Sequence, residues 1–293
     1  MNCFHHKYYN KKANIIFENN HMEAIFMLNK KMKTKNGTFN YFINENFDRK
    51  NPTIFFWAAM GINSSYFDYF NLFKYINTEK INLISVDQLG SGFSGYPNNN
   101  KRTLENYSTE MKEFIGCFNL KKIFIVAHSF SGIYSLNILN NINVAGFIGI
   151  DPTSPKIIKK YENQIQKNLN EALESKNNNQ HMDTDINPSL PSNIKSEAMV
   201  LYKNISGNEF EINELQEAHN TINKMLSSSI SDKIPTLTFL STLNLNSYKK
   251  YGNPYFNKNV NSSEIILNGH HFLQWLHPKL MATYIATFID NIV

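Results

Sequence analysis

The sequence predicts an α/β fold, a mostly parallel sheet with helices on both faces and a helical insertion after the sixth strand. Three observations predict it. Short apolar runs alternate with segments of helical period along most of the chain. One run, Ile123-Phe-Ile-Val-Ala-His128, is rich in β-branched residues and passes at once into a helix-compatible segment, as expected of a parallel strand buried on both faces. Finally, the alternation stops between Asp151 and Ile234, and helical periodicity takes over for about 80 residues.

The elements follow in order. A turn at Asn36-Gly37 precedes a strand over Thr38–Ile43, and Pro52 precedes a short apolar strand over Ile54–Ala58. Ile81–Val86 forms the next strand. Tyr107, Met111, Phe114, Ile115 and Phe118 fall at helical spacing, which puts a helix before the Ile123 strand. Ile133–Leu139 is the helix after it, and Val144–Ile150 is a strand that ends in Asp151-Pro152. In the insertion, Ile157, Ile158, Tyr161, Ile165 and Leu169 mark one helical face and Ile212, Leu215, Ile222 and Leu226 another. Breaks are expected at 177–179 and at 188–191. Strands over Ile234–Leu240 and Glu264–Leu267 follow. Pro278 opens a last helix whose Leu280, Met281, Tyr284, Ile285, Phe288 and Ile289 share a face. The expected organisation is an extension over 1–31, a core over 32–152, a helical lid over 153–233 and the rest of the core over 234–293.

Composition excludes several classes. At 293 residues the chain can bury a sizeable core. It contains no apolar run long enough for a bilayer, and its N-terminus lacks the pattern of a signal peptide, so a cytoplasmic protein without an integral membrane segment is expected. Only Cys3 and Cys117 occur, with Cys117 on a helix face expected to be buried, which speaks against a disulfide framework. Of the net charge of +5, residues 1–33 hold +4, through six lysines against Glu18 and Glu23. The remainder is close to neutral, so no nucleic-acid surface is expected on the folded domain. The basic N-terminus reads as a solvated extension, its lysines lying on no single amphipathic face.

The strand-to-helix corner carries the chemistry. So abrupt a turn forces its apex, Ser129, toward positive φ and requires small neighbours two residues to either side. Ala127 and Ser131 meet that need, and Gly132 allows close helix packing. The competing reading is an ordinary helix N-cap serine. The segment A-H-S-F-S-G resembles the nucleophile elbow of the α/β-hydrolases, in a relaxed form of G-x-S-x-G. Asp87-Gln-Leu-Gly-Ser-Gly-Phe-Ser94 resembles that family's D-x-x-G-x-G-x-S loop, whose Asp and Ser bond backbone groups in a structural role. Together with the loop after Ile54–Ala58 and a histidine loop near the end, the resemblance spans residues 32–293. It is closest to lid-bearing carboxylesterases, lysophospholipases and proline iminopeptidases. A serine at 129 argues against the dehalogenase branch, which uses an aspartate.

The resemblance implies a Ser-Asp-His triad, an acyl-enzyme route and no cofactor or metal. Ser129 is the implied nucleophile. His5, His6 and His21 fall in the extension, His181 and His219 in the lid, and His277 at the start of the last helix, while His128 points elsewhere on the turn. Gly269-His-His271 remains, and His271, followed by Phe-Leu-Gln, is the implied base in preference to His270. Many relatives carry the acid after the penultimate strand, but Ile234–Ser263 contains no Asp or Glu, and Asn244 or Asn246 stands there instead. Asp151 is the implied acid; the alternative gives it a helix cap or a turn with Pro152. The oxyanion donors implied are the N–H groups of Phe130 and Met60, with Ala59 where the family has glycine. The expected function is cleavage of a small-molecule ester or other acyl substrate. An aminopeptidase or amidase with the same triad, or a non-catalytic relative that binds a ligand or partner under the lid, is the alternative.

Overall fold

A computed structural model describes residues 27–61, 64–178 and 186–293. His5, His6, His21 and His181 lie outside the described residues, as do residues 1–26 of the expected extension. The elements are β1 (Met27–Lys33), β2 (Thr38–Asn44), β3 (Thr53–Trp57), α1 (Ser65–Phe73), β4 (Asn82–Val86), α2 (Leu104–Gly116), β5 (Ile123–His128), α3 (Ser131–Ile138) and β6 (Gly146–Ile150). After β6 come α4 (Pro155–Ile158), α5 (Glu162–Asn178), α6 (Ser192–Ile205) and α7 (Glu209–Met225). The chain then returns through β7 (Thr236–Ser241), α8 (Leu245–Tyr251), β8 (Ser263–Leu267), α9 (Leu273–Leu276) and α10 (Pro278–Asp290).

The eight strands form one sheet in the order β1-β2-β4-β3-β5-β6-β7-β8. β1 pairs with β2, and β2 with β4, antiparallel; the other five pairings are parallel. β5 lies centrally and its side chains alternate between two cores, as a period of two requires. Ile123, Ile125 and Ala127 join the cluster that holds Phe114 and Ile133, whereas Phe124 and Val126 join the one that holds Phe67 and Ile285. Both faces are therefore sealed, by α2 and α3 on one side and α1 and α10 on the other. Truncating a fully buried ring such as Phe124 to alanine is expected to cost about 3–5 kcal/mol.

Two elements depart from the sequence reading. β1 opens at Met27, inside the segment expected to be an extension, so the core begins before the expected boundary at 32. It is an edge strand, and Lys30, Lys31 and Lys33 mask its alternation while discouraging pairing with another chain. α1 has no amphipathic signature because all nine of its residues, Ser-Tyr-Phe-Asp-Tyr-Phe-Asn-Leu-Phe, are buried. Cys117, expected on a buried face, caps α2 and is half-buried.

Between β6 and β7 the insertion is helical, as its periodicity predicts. α5 packs on α7, and α7 packs on α3 and so lies against the core. Of the break expected at 177–179, Asn177 and Asn178 still belong to α5 and residue 179 lies outside the described residues; residues 186–191 form the irregular lead into α6. Among the described residues no helix is long and apolar enough to cross a membrane.

Candidate active site

The corner between β5 and α3 has the strain its sequence demands. Ser129 sits at φ 57°, in the left-handed region that non-glycine residues rarely enter. Neighbours hold it there. Its N–H donates to the Ile150 carbonyl at 3.3 Å, and its carbonyl accepts from Gly132 N–H at 3.0 Å and Thr153 N–H at 2.8 Å. Ser131 closes the turn by accepting from His128 N–H (3.0 Å) and donating to the His128 carbonyl (2.7 Å). Ser129 keeps partial exposure while Ala127, His128 and Ser131 have none. A serine serving only as a helix N-cap would bond the first turn through its side chain; here the N-cap of α3 is Phe130, without a side-chain bond.

Asp151 ends β6, also at positive φ (40°), with its N–H on the Phe239 carbonyl of β7. Its carboxylate is buried and surrounded by donors. Oδ1 accepts from Ser241 N–H at 3.0 Å; Oδ2 accepts from Ser241 Oγ at 2.9 Å and Asn244 Nδ2 at 2.6 Å. Oδ2 also meets Nδ1 of His271 at 2.7 Å. Burial works to raise this carboxyl, but the hydrogen bond and charge of His271, with Ser241 and Asn244, outweigh it and hold it below the ordinary carboxylate value. None of these contacts is a cap on α4, whose N-cap is Ser154.

His271 follows β8 in a loop opened by Gly269 at φ 141°. Its ring packs 4.7 Å, centre to centre, from that of His128, the residue before Ser129. With Nδ1 on the carboxylate, Nε2 is left as the proton acceptor of the neutral ring. Burial first, then the neighbouring His128, hold this imidazole below its usual value against the opposing pull of Asp151. His270 diverges: it is exposed, and its Nδ1 accepts from Phe272 N–H at 3.1 Å. His219 faces Glu162 at 3.8 Å, and His277 bonds the Asn268 carbonyl at 2.6 Å.

In the loop after β3, Met60 is half-buried and packs against the hydrophobic cluster that includes Phe130. The loop's carbonyls are held by Gln88, whose Nε2 donates to Ala58 at 3.1 Å and Ala59 at 3.4 Å. Gly61 N–H donates to Glu214 of α7 at 2.9 Å, so the insertion grips this loop. Phe130 is buried at the start of α3. A small cavity lies between Ala59, Asp68, Asn187 and the aromatic rings of Phe67, Tyr202, Phe272 and Trp275.

Asp68 escaped the sequence reading, as did the contact of His128 with it. From α1, Asp68 accepts Gln274 Nε2 at 2.7 Å and Trp275 Nε1 at 3.1 Å on Oδ1, and its Oδ2 lies 3.4 Å from His128 Nδ1. Gln274, the last residue of the His-Phe-Leu-Gln segment, was the one available signal. The glycine loop behaves as expected: Asp87 accepts from Ser65 N–H, Phe93 N–H and Ser64 Oγ, each at 2.9 Å, and Ser94 Oγ donates to the Asp87 carbonyl at 2.8 Å.

No family model matches the sequence, and no curated protein does. Solved structures do match. The chain is similar to epoxide hydrolase A from Mycobacterium thermoresistibile at 11% identity and a TM-score of 0.67, over 92% of this chain and 99% of that one. It is similar to a haloalkane dehalogenase from Bradyrhizobium elkani at 16% identity and a TM-score of 0.65, over 91% and 99%. An N-acyl homoserine lactonase matches at 11% identity and a TM-score of 0.67, over 92% and 98%.

Proposed function

We propose, from the α/β-hydrolase fold that this chain adopts, that it is a serine hydrolase cleaving a small carboxylic ester through an acyl-enzyme. The observation that carries this reading is the 2.7 Å contact of His271 with Asp151 beside a serine held at positive φ on a strand-to-helix corner. A strained hydroxyl, an imidazole and a buried carboxylate are the three groups that acyl transfer needs.

In this mechanism Ser129 Oγ attacks the ester carbonyl while Nε2 of His271 takes its proton. Asp151 keeps the Nδ1 hydrogen in place and stabilises the imidazolium. The N–H groups of Phe130 and Met60 hold the oxyanion. His271 then gives the proton to the departing alkoxide, which leaves as the alcohol, while the acyl group stays on Ser129. Water, deprotonated by His271, then attacks the acyl-enzyme; the bond to Ser129 Oγ breaks, His271 returns the proton to that oxygen, and the carboxylic acid leaves. The helical insertion serves as the lid.

The similar solved structures include an epoxide hydrolase, a dehalogenase and a lactonase, so the fold supports hydrolysis of small molecules without choosing among them. An amide or peptide bond would use the same groups. Asn244 where relatives carry an acid after β7, with Ala59 where they carry glycine, favours a second reading, a relative that binds a ligand without turnover. A fluorophosphonate probe separates the two. Labelling of the wild type that is lost in Ser129→Ala is the expected result; well-folded protein that resists the probe supports the binder.

A further inference from the structure

Behind His271 stands a second acid–imidazole pair that the triad does not use. His128 is fully buried and Asp68 nearly so. Nε2 of His128 lies 3.1 Å from the main-chain carbonyl of His271, an acceptor, so that nitrogen carries a hydrogen. Its Nδ1 faces Asp68 Oδ2 at 3.4 Å, and both atoms are buried with no hydrogen-bond partner. Two bare lone pairs opposed at that distance in a buried site repel, so a second hydrogen belongs between them. Asp68 itself is held from behind by Gln274 and Trp275, both within four residues of His271.

We propose that Asp68 and His128 are positioning residues for the base: the pair pins the His271 carbonyl against the elbow, and the hydrogen it holds sets the pH at which His271 works. The inference rests on the function proposed above for His271 but is testable apart from it. The titratable groups facing His271 are Asp151 from the end of β6, His128 from β5 and Asp68 from α1. Facing His128 are Asp68 and His271, with Tyr69 of α1 close by and its hydroxyl committed to the Trp57 carbonyl. From the insertion, Tyr202 and Asn187 share the cavity with Asp68 and bring no charge. A hydrogen held by the pair places positive charge on the ring 4.7 Å from His271 and opposes its protonation. Asp151 and, more weakly, the charge of Asp68 pull the other way. The balance of the two poises the base.

Asp68→Asn tests this. Asparagine keeps an acceptor for Gln274 and Trp275 and turns a donor toward His128 Nδ1, so that ring no longer holds a second hydrogen. The acid limb of kcat/KM for p-nitrophenyl acetate is expected to move up by about one pH unit. His128→Gln, which retains a donor for the His271 carbonyl without the charge, should move it the same way. A limb that stays in place in both folded variants overturns the proposal. The wild type gives an independent reading through histidine-selective 15N labelling, with His128 assigned from the Gln variant. A hydrogen shared at Nδ1 beside the one on Nε2 is the expected signature, and a ring whose Nδ1 shares none also overturns the pairing. Should the protein turn over no ester, the same shift is read from the 15N titration of His271, so failure of the hydrolase reading and of this one remain distinct.

Discussion

Asn244 donates its side-chain amide to Oδ2 of Asp151 at 2.6 Å, the same oxygen that faces His271 Nδ1 at 2.7 Å. The position after β7 therefore reaches the carboxylate at the end of β6, and an acid placed at either could meet the imidazole. Asp151→Asn is expected to lower kcat for p-nitrophenyl acetate by about a thousandfold or more, through loss of the charge that stabilises the imidazolium. Adding Asn244→Asp should restore about tenfold of that or more. A double variant no faster than the single one would show that the acid must stand at 151.

The pH profile of the wild type follows from the two members of that pair. Asp151 is held below the ordinary carboxylate value, so it stays ionised through the working range. His271 must be neutral to accept a proton, and its affinity for one is reduced by burial and by His128. Lower affinity keeps the ring neutral to lower pH, so the acid limb of kcat/KM should have its midpoint below the value of about 6.5 for an ordinary imidazole. A midpoint above that value contradicts the assignment.

The parts of this site legible in the sequence are those set by local sterics. Ala127, Ser129, Ser131 and Gly132 announce a tight corner whatever surrounds them, and Gly269-His-His271 announces a loop. The meeting of Asp68 with His128 had no such announcement, because a contact across 60 residues leaves no spacing signal. α1 was silent for the opposite reason: a helix buried on every side shows no contrast between faces. β1 was hidden by the lysines that protect an edge strand.

Gly132 shows how close the corner is packed. A Cβ built there would stand 2.7 Å from Pro152 Cβ and 2.9 Å from the Tyr255 hydroxyl, which donates to the Thr153 carbonyl. Pro152 is further fixed by Tyr248, whose hydroxyl bonds its carbonyl. Neither neighbour can retreat freely. Gly132→Ala is expected to destabilise the fold by about 1–3 kcal/mol and to lower kcat by tilting Ser129. Urea denaturation together with ester turnover checks both effects, and an alanine variant as stable as the wild type would mean that the strand and helix separate easily.

Asp87 makes stability depend on pH. Burial raises its carboxyl to about 7 against the opposing bonds from Phe93, Ser64 and Ser65. The unfolded chain ionises near the ordinary 3.8, so between about 4 and 7 the folded state binds the extra proton. Stability from this group is therefore present at low pH and is lost as pH rises through about 7. Asparagine does not titrate, and it sets an amide against the Phe93 N–H at a cost that does not vary with pH. The stability gap between wild type and Asp87→Asn should thus be wider at pH 5 than at pH 8, by about 2–4 kcal/mol. A gap independent of pH would return Asp87 to an ordinary ionised carboxylate.

Glu214 ties the insertion to the loop expected to hold the oxyanion. It is buried on α7; one oxygen accepts from Gly61 N–H at 2.9 Å and the other from Tyr134 Oη at 2.8 Å. Burial raises its carboxyl above the ordinary value, although Arg102, the Tyr134 hydroxyl and Gly61 N–H all favour the charge. Alanine at 214 would leave the buried Tyr134 hydroxyl without this partner, at about 1–3 kcal/mol, and would release the half-buried Gly61 N–H. It would also free the loop beside Met60, so kcat is expected to fall about tenfold or more while KM changes less. Glutamine keeps one acceptor for Gly61 and nearly the same shape, so it should recover most of the stability and most of the rate. Equal losses in Glu214→Ala and Glu214→Gln, measured by urea denaturation and steady-state kinetics, would mean that the charge facing Arg102 matters and the grip on the loop does not.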